Sequence, residues 1–442
     1  MKTILLFGAG KSATFLIDYL GKCCDENKWK LLVCDTNISL IQSKTKNFSS
    51  AEAISLDVSN EEKRHEFISK ADMVISMLPP GLHFLIANDC VALSKDLLTA
   101  SYLDVKIKLH KNEIEVKGLI FLGEMGLDPG IDHMSAMKLI NGIKKHGGRI
   151  TSFKSYCGGL VSPESDDNPW HYKITWNPAN VVMAGSAGAI YLDKGKNFEI
   201  PYTEIFNDDK NIVDVPRLFP LAWYANRDSL SYIDTYQLHD AHTFMRATLR
   251  YPSFCRGWNK LIKLDFTNRN DHEEIKGCAT FADWFNLKKE KLSSKNENNS
   301  GEDDFFNEEF LQQVDYLSML SPEKIPIEIS HSALLLQYLL EKRLVMQPDD
   351  KDMIVMLHEI EYSVSDQKKK TRSCLIANGD DLLHTAMAKT VGLPLGIAAK
   401  LILENKIQVT GLHIPVIPEI YEPVLRELEL NGIRFHEETM DI

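Results

Sequence analysis

Apolar residues in the first third of the chain fall in short runs separated by stretches of helical spacing. Thr3–Phe7, Lys30–Cys34, Ala53–Leu56, Met73–Ser76, Asp96–Ala100 and Leu119–Leu122 each predict a short buried strand. Between them Ser12–Leu20, Asn60–Lys70, Leu82–Leu93 and Val105–Val116 predict amphipathic helices. A further helix starts near Ile131 and ends near Lys145, with Gly147 and Gly148 as its stop. Strands alternating with helices of this length imply a parallel, doubly wound sheet. The texture then changes: Ile150–Gly158 alternates like a strand of an antiparallel sheet, and polar and aromatic residues crowd together up to Trp176. Lys288–Asp304, rich in Lys, Ser, Asn, Glu and Asp, predicts a solvated, flexible insertion. Met353–Leu357 predicts a strand, and the basic run Lys368, Lys369, Lys370 and Arg372 a hairpin rim. Near the end a helix Ala386–Val391, a break at Gly392-Leu393-Pro394 and a helix Leu395–Leu403 restore the α/β pattern.

The first strand leads directly into Gly8-Ala9-Gly10-Lys11-Ser12-Ala13, a G-x-G-x-x-A fingerprint at a strand-to-helix turn. Gly8 suits the tight turn, Gly10 lets backbone N–H groups approach a pyrophosphate, and Ala13 allows close packing of helix on strand. This makes the first part a Rossmann-type dinucleotide site. The second strand ends in Asp35, whose carboxylate can accept from ribose hydroxyls and repels a 2′-phosphate, so NAD is expected, with NADP as runner-up. Asp35, Thr36 and Asn37 are also good helix caps, the bland alternative. Asp57 and Val58 follow the third strand, where adenine is often held, and Pro79 and Pro80 force the chain out of the sheet after Leu78.

Leu119–His133 joins a strand to a helix through Gly123, Gly126, Asp128, Pro129 and Gly130. Ligands in such sheets bind at the carboxyl ends of strands, so the turn would bring Glu124, Asp128 and Asp132 to the chemistry. Simple capping carboxylates are the competing reading.

A formal charge of −12 argues against nucleic acid or an anionic membrane as main partner, while a few arginines can still hold a small anion. The eight cysteines form neither a C-x-x-C pair nor a metal-ligand cluster, so free thiols in a reducing compartment and no metal are expected. The chain enters a strand at once, without a signal-like segment, and no membrane-spanning segment is expected from its apolar runs. A cytoplasmic location is the expectation.

Several ordered stretches resemble the saccharopine dehydrogenases of the glutamate-forming type: Val74–Pro79, Leu98–Tyr102, Gly123–His133, Ser155–Gly159, Asn168-Pro169 with Tyr172-Lys173, Asn226–Ser229 and Thr248–Tyr251. The resemblance implies oxidation of saccharopine to L-glutamate and 2-aminoadipate 6-semialdehyde, or the reverse reaction, in lysine metabolism. It implies that Gly8–Ala13, Asp35, Asp57, Val58, Leu78, Ser101 and Leu127 serve the dinucleotide. Tyr102, Arg227, Thr248, Leu249 and Arg250 would serve the substrate. Asp128 is the candidate for proton handling or for polarising the nicotinamide region, with Tyr102, Asp104, His133 and Cys157 as alternatives.

The resemblance further implies a dinucleotide domain of residues 1–130 completed by 384–442, and an α+β substrate and dimerisation domain of 131–383 on a mixed or antiparallel sheet. A homodimer is expected. Departures occur at Val161-Ser162-Pro163-Glu164, Arg246-Ala247 and Tyr224-Ala225-Asn226-Arg227. Fungal members tend to carry Arg where this chain has Asp35. Saccharopine carries three carboxylates, which Arg227 and Arg250 could each meet with bidentate contacts. The rival readings are a carboxyspermidine-type dehydrogenase, which would want acidic pocket residues for ammonium groups, and a non-catalytic NAD-binding protein.

Overall fold

The computed structural model describes residues 1–207, 210–295 and 302–442. The chain forms two compact units. The first comprises Met1–Arg149, Val364–Gln367 and Leu375–His436; the second comprises Ile150–Ser363, Lys368–Cys374 and Glu437–Ile442.

In the first unit the predicted strands pair in parallel: β1 (Thr3–Phe7), β2 (Lys30–Asp35), β3 (Ala51–Ser55), β4 (Met73–Ser76), β5 (Asp96–Thr99) and β6 (Ile120–Leu122). Their spatial order is β6-β5-β4-β1-β2-β3, and Gly411–His413 adds a seventh strand beside β6. This is the doubly wound Rossmann arrangement, with the chain reversing beside β1. The strands are nearly all apolar because helices cover both faces. Ile4–Phe7 and Met73–Ile75 are fully buried.

The first unit runs past residue 130 because helix Ile131–Lys145 packs on helix Pro418–Leu430, where Asn141 Nδ2 donates to Tyr421 Oη at 2.9 Å. The expected break at Gly392-Leu393-Pro394 is absent: Ala386–Leu403 is one continuous helix with Pro394 inside it. Tertiary packing overrides the local signal. A Cβ at Gly392 would lie 2.9 Å from Leu16 N, and one at Gly396 2.7 Å from Tyr19 Cδ1, so the glycines permit close approach to helix Thr14–Asn27. This helix also corrects the reading that no apolar run reaches span length. By length and composition it could cross a membrane, yet 72% of it is buried inside the protein.

The second unit is α+β on a mixed sheet. Thr243–Arg250 pairs in parallel with Arg149–Val161 and antiparallel with Leu221–Ala225. The long hairpin Asp352–Val364 and Gln367–Asn378 extends the sheet, and the predicted basic rim lies on its second strand. Helices Pro252–Lys263, Phe281–Lys295, Glu308–Tyr316 and Ser332–Arg343 build a separate core around Trp170, Trp258 and Trp284.

Part of the expected insertion at 288–304 is not a loop. Lys288 lies within helix Phe281–Lys295, and its ammonium, 1% exposed, donates to Asp271 Oδ2 at 2.7 Å and to Asp265 and Glu274 at 3.1 Å. Three distant carboxylates turn a polar stretch into buried structure. Residues 302–305 are also helical, and 296–301 lie outside the described residues.

Candidate active site

At the carboxyl end of β1 the chain enters the glycine turn. Gly8 has φ +98°, and a Cβ there would meet Met77 O at 2.8 Å, so glycine is required on both counts. A Cβ at Gly10 would meet nothing within 4 Å. The helical segment beginning at Lys11 leaves its first amides without intrahelical acceptors, and these suit an anion placed over that open space. Ala13 is buried behind them, while Lys11 and Ser12 remain accessible. The donor set and the free volume therefore fit a dinucleotide pyrophosphate.

Asp35, at the end of β2, is tied to this turn. Its Oδ2 accepts from Ala9 N at 2.9 Å and its Oδ1 from Asn37 N at 3.1 Å. The following helix is capped by Asn37, not Asp35. Lys44 reaches across from that helix, donating to Gly10 O at 2.7 Å and Thr14 Oγ1 at 2.9 Å; burial pulls its pKa down to about 8 against the opposing pull of Asp18 and Asp35. The sequence reading missed Lys44, since nothing local marks it.

Asp57 is exposed and accepts from Ser59 N at 2.9 Å, which holds its carboxyl below the usual range. Val58 O accepts from Arg64 Nη1 at 2.5 Å, and the buried Arg64 is also paired with Asp89. Arg64 thereby fixes the Val58 backbone, another contact the sequence did not reveal. Leu78 is half-buried where the chain leaves β4.

At the ends of β5 and β6 two loops are bound together. Ser101 O accepts from Glu124 N at 3.0 Å, and Tyr102 Oη donates to Asp128 Oδ1 at 3.3 Å. Of the three acidic residues in the turn, Asp128 is half-buried, whereas Glu124 and Asp132 are 5% and 1% exposed. Glu124 Oε1 accepts from Leu103 N at 3.2 Å and its Oε2 lies 2.9 Å from His133 Nε2; Asp132 Oδ1 accepts from Gly130 N at 2.6 Å. These two carboxylates and His133 hold the turn in shape. Gly130 has φ +146°, and a Cβ there would overlap the Gly126 backbone. Leu127 is buried in the same turn, and Asp104 accepts from Lys106 N as a helix cap.

In the second unit, Thr248, Leu249 and Arg250 are consecutive on strand Thr243–Arg250, opposite Tyr224, Trp223 and Ala222. Tyr224, which faces Thr248 across the strand pair, has its phenol pKa raised by burial. Leu249 is fully buried and its carbonyl accepts from Arg250 Nη1 at 2.8 Å. Arg250 is 5% exposed, its guanidinium lies over the rings of Tyr172 and Phe254 at 5.5 and 5.7 Å, and its Nε has no hydrogen-bond partner among the described residues. Arg227 is exposed with φ 52°, and Cys157 is buried.

Two family models match the chain: residues 4–176 the saccharopine dehydrogenase NADP binding domain, and residues 126–433 the saccharopine dehydrogenase C-terminal domain. The chain is 34% identical to the mitochondrial alpha-aminoadipic semialdehyde synthase of Bos taurus over 98% of its own length and 47% of that protein's. It thus spans about half the length of the synthases it matches. With the saccharopine dehydrogenase [NADP(+), L-glutamate-forming] of Saccharomyces cerevisiae it shares 31% identity over 99% of both chains. The structure titled apo histidine-tagged saccharopine dehydrogenase (L-Glu forming) from that yeast superposes with a TM-score of 0.89, at 30% identity and 100% of both chains.

Proposed function

This chain belongs to the saccharopine dehydrogenase family, and on that premise we propose that it is an oxidoreductase of lysine metabolism. It converts saccharopine, water and an oxidised nicotinamide dinucleotide to L-glutamate, 2-aminoadipate 6-semialdehyde and the reduced dinucleotide, or runs in reverse. The observation that carries this reading is Arg250, a buried guanidinium that among the described residues has an orphaned Nε and no carboxylate hydrogen-bond partner. Desolvating a charge costs several kcal/mol unless it is paired, and ring faces offset only about 0.5–2 kcal/mol. A substrate carboxylate supplies the missing acceptor in bidentate geometry. Arg227 gives a second guanidinium and Thr248 a hydroxyl, as a substrate with three carboxylates requires.

When bound, the nicotinamide supplies the acceptor for the hydride beside the secondary amine. The protein's own groups do the rest. The first-turn amides of Lys11 and Ser12 hold the pyrophosphate, and Asp57, Val58, Leu78, Ser101 and Leu127 line the remainder of the dinucleotide. Asp128 takes up the amine proton at Oδ1, the atom that Tyr102 Oη also addresses.

We read NAD as the preferred dinucleotide. The Asp35 carboxylate, held by Ala9 N, offers ribose hydroxyls an acceptor and a 2′-phosphate a repulsion. A second reading, NADP, is favoured by the names of the fungal relatives and by the Lys44 ammonium on the same turn. Absorbance of the reduced nicotinamide, followed with saccharopine and either dinucleotide, tests both. Activity with neither removes the proposal.

A further inference from the structure

The hydroxyls of Ser76, at the end of β4, and Ser101, just beyond β5, are joined through one imidazole. His83 Nδ1 lies 2.8 Å from Ser76 Oγ and His83 Nε2 lies 2.9 Å from Ser101 Oγ. Ser76 is fully buried and His83 is 3% exposed. Burial pulls the His83 pKa down to about 4, so the ring is neutral near pH 7 and carries one proton.

That single proton gives the chain a direction. Among the described residues His83 is the only hydrogen-bond partner of the Ser76 hydroxyl. A buried hydroxyl left without an acceptor is costly, so the Ser76 proton goes to Nδ1. The ring proton then sits on Nε2 and is donated to Ser101 Oγ. Thr99 Oγ1 also approaches Nε2, but at 3.5 Å, where a hydrogen bond is weak. The Ser101 proton is left to point away from His83.

We propose that His83 is a positioning residue: the Ser76–His83–Ser101 chain fixes Ser101 as a hydrogen-bond donor to an acceptor oxygen on the nicotinamide half of the dinucleotide. The proposal rests on the dinucleotide reading above. The acceptor chemistry is shared by the carboxamide oxygen and the phosphate oxygens, and the experiment separates them.

In the full chain labelled with 15N-histidine, two-bond proton–nitrogen correlation identifies which ring nitrogen is protonated, the His83 signal being the one lost in His83→Gln. An Nε2–H tautomer in the ligand-free protein is expected; an Nδ1–H tautomer overturns the inference. Fluorescence titration with NADH then reads affinity. Ser101→Ala and His83→Leu should each weaken binding about 5- to 10-fold, and the double variant no further. Multiplying effects overturn the coupling. Repeating the titration with ADP-ribose locates the acceptor: an effect lost without the nicotinamide assigns the carboxamide, and one retained assigns the phosphates. A wild-type chain that binds no dinucleotide removes the functional reading and the target of Ser101 together, whereas the wrong tautomer removes only this inference.

Discussion

Replacing Arg250 by Met separates a ligand-binding guanidinium from a structural one. The unbranched apolar stem is kept, while the planar guanidinium head and its charge are removed. In the folded protein the variant gives up one charge-assisted hydrogen bond to Leu249 O, about 1.5–3 kcal/mol, and two ring-face contacts at 5.5 and 5.7 Å, about 0.5–2 kcal/mol each. It also escapes the desolvation of an ion that is 5% exposed and lacks a partner on Nε, several kcal/mol in the opposite direction. The terms nearly cancel, so the midpoint of thermal unfolding should move by only a few degrees, about 2–4 °C for each kcal/mol left uncancelled in a unit of this size. Catalysis should respond differently. A lost bidentate contact to a carboxylate is worth roughly 1.5–3 kcal/mol, so kcat/KM for saccharopine should fall about 10- to 100-fold, mostly through KM, with dinucleotide affinity unchanged. Calorimetry and initial rates decide the matter. A variant that unfolds far below the wild type yet keeps its KM would show that Arg250 serves the core, and the case for substrate recognition would fall with it.

Other outcomes follow from the same geometry. Asp35→Ala should shift the ratio of kcat/KM values toward NADP by about 10-fold, since a unit charge near a phosphate is worth up to about 4 kcal/mol at an effective dielectric of 20; an unchanged ratio means Asp35 does not read the ribose. Although burial pushes the Asp271 carboxyl up, hydrogen bonds from Lys288 and Ser332 outweigh it and hold its pKa below the ordinary value. Its contribution to stability is therefore present above pH about 4 and lost as pH falls through the depressed folded value; urea unfolding across that window should fall less steeply in Asp271→Asn, and equal slopes contradict the assignment. Gly130→Ala should lower stability by roughly 2–3 kcal/mol or more, read by denaturant midpoint, and a neutral result would mean the turn can re-form with another backbone.

The dinucleotide half was legible because its chemistry is local. A strand, two glycines and Ala13 fall within one short stretch, and Asp35 ends the next strand. What the sequence hid depends on neighbours far along the chain. His83 looks like an ordinary helix residue until the order of β4 and β5 brings Ser76 and Ser101 to its two nitrogens. Lys288 sits in a stretch whose composition reads as solvent-exposed, and only Asp265, Asp271 and Glu274 explain its burial. Pro394 and its flanking glycines carry the signature of a break, yet they form the contact face that helix Thr14–Asn27 requires. Within the acidic turn, residue type alone could not tell Asp128 from its neighbours. Only the fold turns Glu124 and Asp132 inward and leaves Asp128 beside Tyr102.

The strand Gly411–His413 closes the parallel sheet beside β6, although some 290 residues of chain separate the two. During synthesis the ribosome must therefore release all of the intervening chain before that edge is covered. Until then the nascent β6 presents unpaired amides and carbonyls, and helix Thr14–Asn27 lacks the Ala386–Leu403 surface it packs on. A messenger truncated anywhere before the codon for Ala386 should yield a product that chaperones retain and proteases clear, even though it encodes the whole glycine turn.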